Sequence, residues 1–234
     1  MRGDTLEVGD TLRILSDTNR LLGLHEEGIQ QGKEALEIYE RLGDTFGRAH
    51  SLCDLAQSLY EDHQLDAAKE AASQSIDLLP ERVDRTLACR CHRIIGEIHS
   101  SKGEAEQAID HFEAALRIAS FLDWHYEQFW GHYCLAELFF NQGRYDDSHA
   151  EVEHAKSHGV NDMYLMGRAM NLQAGYWYEQ DRLREAKSEV LCAIDAYEKV
   201  GATKDLGMCR DLLRDIEGEI EGAVTSGGSG FNIQ

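Results

Sequence analysis

Small and bulky apolar residues return along this chain at helical spacing, most clearly between Gly103 and Leu116. There Ala108, Phe112 and Ala115 fall on one face of a helix, with polar residues between them. The corresponding positions recur as Gly28/Gly32/Ala35, Ala68/Ala72/Ser75, Ser148/Val152/Ala155 and Ala186/Val190/Ala193. In chain order the first members (Gly28, Ala68, Ala108, Ser148, Ala186) lie 40, 40, 40 and 38 residues apart. A fixed period of that length predicts a stacked helical repeat rather than an enzyme built around one pocket.

The same pattern predicts five helix pairs. They are about Asp10–Leu22 with Glu26–Arg41, Phe46–Glu61 with Leu65–Leu79, Asp84–Ser101 with Glu104–Ser120, Trp124–Asn141 with Tyr145–His158, and Asp162–Gln180 with Leu183–Val200. A last helix, about Thr203–Glu221, has charge on much of its surface and suits a terminal cap. Gly43 is placed to end one helix, and Asp44 or Thr45 to begin the next. The single proline, Pro80, ends another. With so little proline and only short β-branched runs, the fold class is all-α. The expected organisation is an N-terminal segment 1–9 of no identified role, a helical repeat domain 10–221, and a flexible Gly/Ser-rich tail 222–234. Glu26, Glu27, Asp66, Glu104, Glu106, Asp146, Asp147 and Glu185 stand where second helices begin. There they are expected to satisfy free backbone N–H groups and to complement the helix dipole, by roughly 0.3–1 kcal/mol each.

Charge narrows the partners. A formal net charge of −20 argues against non-specific nucleic-acid or anionic-membrane binding, since both need a basic surface. It suits either a solvated acidic exterior or a basic partner. The six cysteines (Cys53, Cys89, Cys91, Cys134, Cys192, Cys209) form no CxxC pair, and several fall on faces expected to be buried. With no signal peptide and no run of about 18 apolar residues, a reduced, cytoplasmic protein is expected.

Catalytic motifs are missing. No GxSxG, HExxH or GxxxxGK[ST] occurs, and His25-Glu26-Glu27-Gly28-Ile29 lacks the second histidine of a zinc motif. No enzyme activity and no cofactor are expected. His154 and His158 stand one turn apart, and His92 and His99 lie near Cys89 and Cys91, but neither set has zinc spacing. They read as packing histidines, not metal ligands.

The repeats resemble tetratricopeptide repeats, whose first helix carries W-x2-L-G-x2-Y and whose second carries A-x3-F-x2-A. The second-helix part is matched best by Ala108/Phe112/Ala115. The Leu-Gly pair appears as Leu15-Ser16, Leu55-Ala56, Ile95-Gly96, Leu135-Ala136 and Gln173-Ala174. The family's tryptophan is replaced by Leu12, Leu52, His92, His132 and Met170, and Pro80 falls where its proline is expected. Over about residues 10–200, the resemblance implies a right-handed α-solenoid of about five hairpins plus a C-terminal capping helix. Its concave groove would bind a protein or peptide.

By the family's register, Cys53, Gln57 and Tyr60, then Arg90, Arg93 and Glu97, should face that groove. Trp130, Tyr133, Glu137 and Phe140 follow, then Asn171 and Tyr178. Arginines and aromatics anchor interfaces, so Arg90, Arg93, Trp130, Tyr133 and Phe140 are the candidate central patch. The competing reading packs the aromatics between repeats. The asparagine pair with which some members clamp a chaperone's C-terminal carboxylate is absent. The wording of residues 35–45, 111–119 and 154–162 also resembles fungal repeat arrays that follow an NB-ARC or NACHT switch. That likeness implies a sensor or regulatory module, fused to or associated with a nucleotide-binding switch domain. The first unit begins with Leu12, Ile14 and Leu15 and no polar capping helix before it. An apolar end is therefore expected, marking either a piece of a longer protein or self-association.

Overall fold

The computed structural model describes residues 5–78 and 85–227. Pro80 and the last seven residues of the expected tail lie outside them. The described residues form α1 (Leu6–Leu21), α2 (His25–Leu42), α3 (Thr45–Glu61), α4 (Leu65–Leu78), α5 (Arg85–Ser101), α6 (Ala105–Phe121), α7 (His125–Asn141), α8 (Tyr145–Gly159), α9 (Met163–Glu179), α10 (Leu183–Val200) and α11 (Thr203–Gly227). The interior boundaries fall within a residue or two of those read from the pattern. The ends differ: α1 starts inside the segment that had no assigned role, and α11 continues six residues past Glu221.

Five hairpin turns set the period. Each puts one residue in the left-handed region, at Gly23, His63, Gly103, Gly143 and Asp181. An N–H one residue further on closes each turn, as in Glu104 N–H to the His99 carbonyl at 2.9 Å and Arg144 N–H to that of Phe139 at 2.9 Å. Between repeats, Gly43 is left-handed at φ 68° and the Asp44 carboxylate accepts from the N–H groups of Phe46 and Gly47, as expected. Asp162 caps α9 in the same way. The acidic residues opening the second helices behave differently. The N-cap side chains of α2, α6, α8 and α10 make no cap bond, and several of the acids pair with basic side chains. Glu104 meets His99, Asp147 meets Arg144 and Glu185 meets Arg182. Leu24, Glu104, Arg144 and Arg182 hold the N-cap position there, two or three residues ahead of most of the acids, so no short carboxylate is placed to cap.

The chain divides into two compact units, Met1–Glu127 and Gln128–Gln234. In the first, Ile29, Leu52, Leu55, Leu59, Leu87, Ile94, Ile95 and Ile98 surround the alanines Ala49, Ala56, Ala68 and Ala72, whose lack of bulk lets the helices approach. At Gly96 the approach leaves no room for a side chain, since a Cβ there would lie 2.6 Å from the Phe112 ring. In the second unit, Phe129 and Val152 centre one cluster, and Val190, Tyr197 and Ile216 another. Every first-member position of the triplets is buried, with Ala68, Ala108, Ser148 and Ala186 fully so. On α1, Ile14 and Leu15 are exposed. No helix among the described residues is long and apolar enough to cross a membrane.

Candidate binding cavity

The residues selected by register divide between the two units, and their fates differ. In the first unit, α5 carries Arg90, Arg93 and Glu97. Arg90 donates to Asp54 at 3.0 Å, and Arg13 reaches the other oxygen of the same carboxylate at 3.1 Å. The Asp54 side chain is only 6% exposed. Arg93 donates to Glu97 at 2.6 Å and to the buried Glu127 at 3.1 Å. These charges are consumed internally. Cys53 is fully buried, and Gln57 donates to Glu61 at 2.9 Å.

In the second unit the selected residues surround a cavity of about 590 Å³. Tyr133, Glu137 and Phe140 come from α7, and Asn171 and Tyr178 from α9. A helical step of three or four residues puts Tyr164, Arg168, Asn171, Gly175 and Tyr178 on one face of α9, and all of them line the cavity. Gly175 leaves room for Phe140, whose ring edge would be 3.1 Å from an added Cβ. The other wall is Lys204, Asp205, Met208 and Leu212 of α11. Trp130 is not in the lining. It packs edge-on against Phe129 and Tyr133, and Arg168 lies 5.1 Å from its ring centre. For Trp130 the packing role expected as the alternative is the one the geometry displays.

Arg168 is the hub of the cavity floor. It donates to the Tyr133 hydroxyl at 3.2 Å, lies 3.6 Å from Glu137, and sits over the Tyr133 ring at 4.8 Å. Tyr133 in turn donates to Glu137 at 2.7 Å. Burial works against the Arg168 charge, but the facing Tyr133 oxygen and Glu137 carboxylate outweigh it and hold the guanidinium above its ordinary range. Burial, and then Glu137, push the Tyr133 hydroxyl well up. Toward the mouth, Tyr178 donates to Glu219 at 2.5 Å and is pushed up to about 12, first by that bond and then by burial, with Asp215 and Glu179 adding to it. The Asn171 oxygen accepts from Cys209 at 3.1 Å, leaving its amide N–H groups directed elsewhere. The cavity thus offers aromatic faces, a hydrogen-bond donor and fixed charge. Burial pushes the Cys209 thiol up to about 11 and the Cys89 thiol in the first unit up to about 12.

Arg168 and Tyr164 were not among the residues selected from the sequence, although stepping back from Asn171 along the same helical face reaches both. The α11 wall had no such signal, because its charged surface reads as a cap. The histidines sit between paired helices. His92 and His111 share a contact of 3.0 Å between Nδ1 atoms, His132 Nδ1 meets Glu151 at 2.7 Å, and His154 and His158 stack on His132.

Residues 7–81 match the sequence family described as tetratricopeptide repeat. No curated protein matches the chain. Among solved structures, a Rap protein complexed with competence and sporulation factor is similar, with TM-score 0.67, 11% identity and 93% of this chain covered. The chain spans 65% of that protein's length. A thermophilic TPR protein from Thermus thermophilus gives TM-score 0.69 and 16% identity over 88% of this chain and 98% of its own. Nearly identical TPR-like repeats from Podosopora anserina give 0.63 and 12% over 86% and 99%. At these identities the likeness establishes the fold, a TPR-type helical solenoid.

Proposed function

We propose that this chain is a tetratricopeptide-repeat protein, a non-catalytic cytoplasmic scaffold that binds a protein or peptide in the cavity between α7, α9 and α11. One observation carries this reading. Five residues selected for groove-facing register, from two different helices, line a single open cavity of about 590 Å³. Small-ligand and peptide pockets have that size and that mix of aromatic walls with a few placed polar groups. Tyr133, Phe140 and Tyr178 supply rigid contact area, and the Asn171 amide suits a backbone carbonyl of an extended segment. The similarity to a Rap protein solved with a bound factor supports a ligand-binding use of such repeats. The unit-1 residues Arg90, Arg93 and Glu97 then serve as internal struts of the scaffold.

The test is selection from an unbiased random-peptide display library against the whole protein, with Phe140→Ala and Asn171→Ala counter-screened. Selected peptides should lose binding about ten-fold or more on Phe140→Ala. If every selected peptide binds both variants as well as the parent, the cavity is not the binding surface. The wording shared with fungal arrays supports a second reading, a regulatory repeat module of an NB-ARC or NACHT switch. Co-purification of such a switch domain, lost on Phe140→Ala, would favour it over a stand-alone adaptor.

A further inference from the structure

The cavity has an apolar and aromatic floor, and its charges do not balance. Glu137 faces Arg168 and is answered by it. Around the mouth, Glu179 and Asp205 remain in the lining, and Glu219 stands beside it on Tyr178. Among the described residues, Glu179 has only the Tyr145 hydroxyl as a hydrogen-bond partner, at 3.0 Å, and Glu219 only that of Tyr178. Among the described residues, no lysine or arginine forms an ion pair with these two or with Asp205. The one uncommitted cation of the lining is Lys204, which is exposed on α11 next to Asp205 in sequence. Three carboxylates against one ammonium leave the mouth negative, on a chain of net charge −20.

Resting on the scaffold reading above, we infer that the occupant of this cavity is a basic peptide segment: a lysine or arginine held at the mouth by Glu179, Asp205 and Glu219, with an adjoining apolar residue against Phe140, Met208 and Leu212. The alternation of charge and apolar surface fits an extended strand, whose successive side chains point opposite ways. A long cationic side chain suits the place because its stem covers apolar surface while its head stays in water with the carboxylates. An anionic segment would meet three unanswered carboxylates, and the one arginine on the floor is already held by Tyr133 and Glu137. The Tyr178 hydroxyl, raised first by its bond to Glu219 and then by burial, is raised further by the charges of Glu219, Asp215 and Glu179.

Two measurements test this with the full chain. In the library selection, the cavity-dependent peptides should be enriched in Lys and Arg beside an apolar residue. Cavity-dependent peptides without that enrichment overturn the inference while leaving the scaffold reading standing. If no selected peptide depends on the cavity, both fall. The second measurement uses fluorescein-labelled probes, an alternating Phe/Lys pentapeptide and its Phe/Glu counterpart, titrated by anisotropy. The Lys probe should bind at least ten-fold tighter and weaken several-fold between 50 and 300 mM salt. Glu179→Gln, Asp205→Asn and Glu219→Gln should each weaken it by roughly two- to five-fold, as expected of exposed charge pairs. Lys204→Gln should strengthen it. Equal affinity for the two probes, or no response to the three neutralising substitutions, overturns the inference. Circular dichroism of each variant separates a folding defect from a lost contact.

Discussion

The α5 residues of the first unit and the α7 and α9 residues of the second were reached by one register, yet they end in opposite states. Arg90 and Arg93 are locked into carboxylates that are nearly out of water, Asp54 and Glu127. Tyr133, Glu137, Phe140, Asn171 and Tyr178 surround open space. Register tells which way a side chain points along a helix. What stands opposite decides whether it is spent on the protein or left for a ligand. In the first unit the buried Asp54 of α3 answers Arg90, and the buried Glu127 answers Arg93. In the second, the glycine at 175 and the set of α11 leave a gap.

The largest effect should fall on the buried network of the first unit. Asp54→Asn removes the countercharge of Arg13 and Arg90 at a site 6% exposed, and should cost about 2–4 kcal/mol in urea unfolding. Glu137→Gln removes the analogous partner of Arg168, but Glu137 is 43% exposed and the tyrosine hydroxyls remain, so the loss should stay below about 1 kcal/mol. Equal losses would mean that the two networks are alike and the distinction between strut and site is mistaken.

Much of this was legible beforehand. The hairpins, their turns and the small-residue contacts follow from local periodicity, which a single sequence displays. The Arg13–Asp54–Arg90 network joins residues 41 and 36 positions apart, and nothing in the spacing of any one of them names its partner. The same holds for the wall formed by α11. A polar residue such as Asp54, inside an otherwise apolar α3 stretch, was the available signal. A buried carboxylate demands a cation, and α5 offered two.

Glycines sharpen the contrast at intermediate size. Gly96 in the first unit has no room: its added Cβ would meet the Phe112 ring at 2.6 Å, and Phe112 is itself buried. Gly96→Ala should therefore destabilise by about 1–3 kcal/mol, despite the better helix propensity of alanine. Gly175→Ala meets Phe140 at 3.1 Å, but that ring borders open volume and can shift. The helix gain should then dominate, leaving stability unchanged or raised by up to about 1 kcal/mol, with ligand affinity reduced. Thermal melts of the two variants side by side decide the matter.

The smallest effect is a matter of protons, at one repeat position occupied differently in the two units. His92 and His132 are 40 residues apart, and so are their partners His111 and Glu151. A bond between two Nδ1 atoms needs one ring to donate and the other to accept, so it fails once both rings are charged. A bond from imidazole to carboxylate survives protonation. Facing His111 are His92 and His99 of α5 and Lys69 of α4, with Asp110 beside it; burial first, then these cationic neighbours, push it down to about 4, and burial and Arg117 lower His92. Between about 6.5, where an unfolded histidine titrates, and about 4, the unfolded chain therefore binds the extra proton. Stability contributed by neutral His111 is complete above that window and is lost as pH falls through it. Because the ring is only half-buried, a discounted shift of roughly 2–4 °C in the melting midpoint between pH 7.5 and 5 is expected from this site. His111→Glu copies the second unit's pair into the first and places a carboxylate among Lys69, His92 and His99. Its midpoint should move less over the same range than the parent's. An equal or larger fall in the variant would show that the acid sensitivity arises elsewhere, and that the two pairs are interchangeable after all.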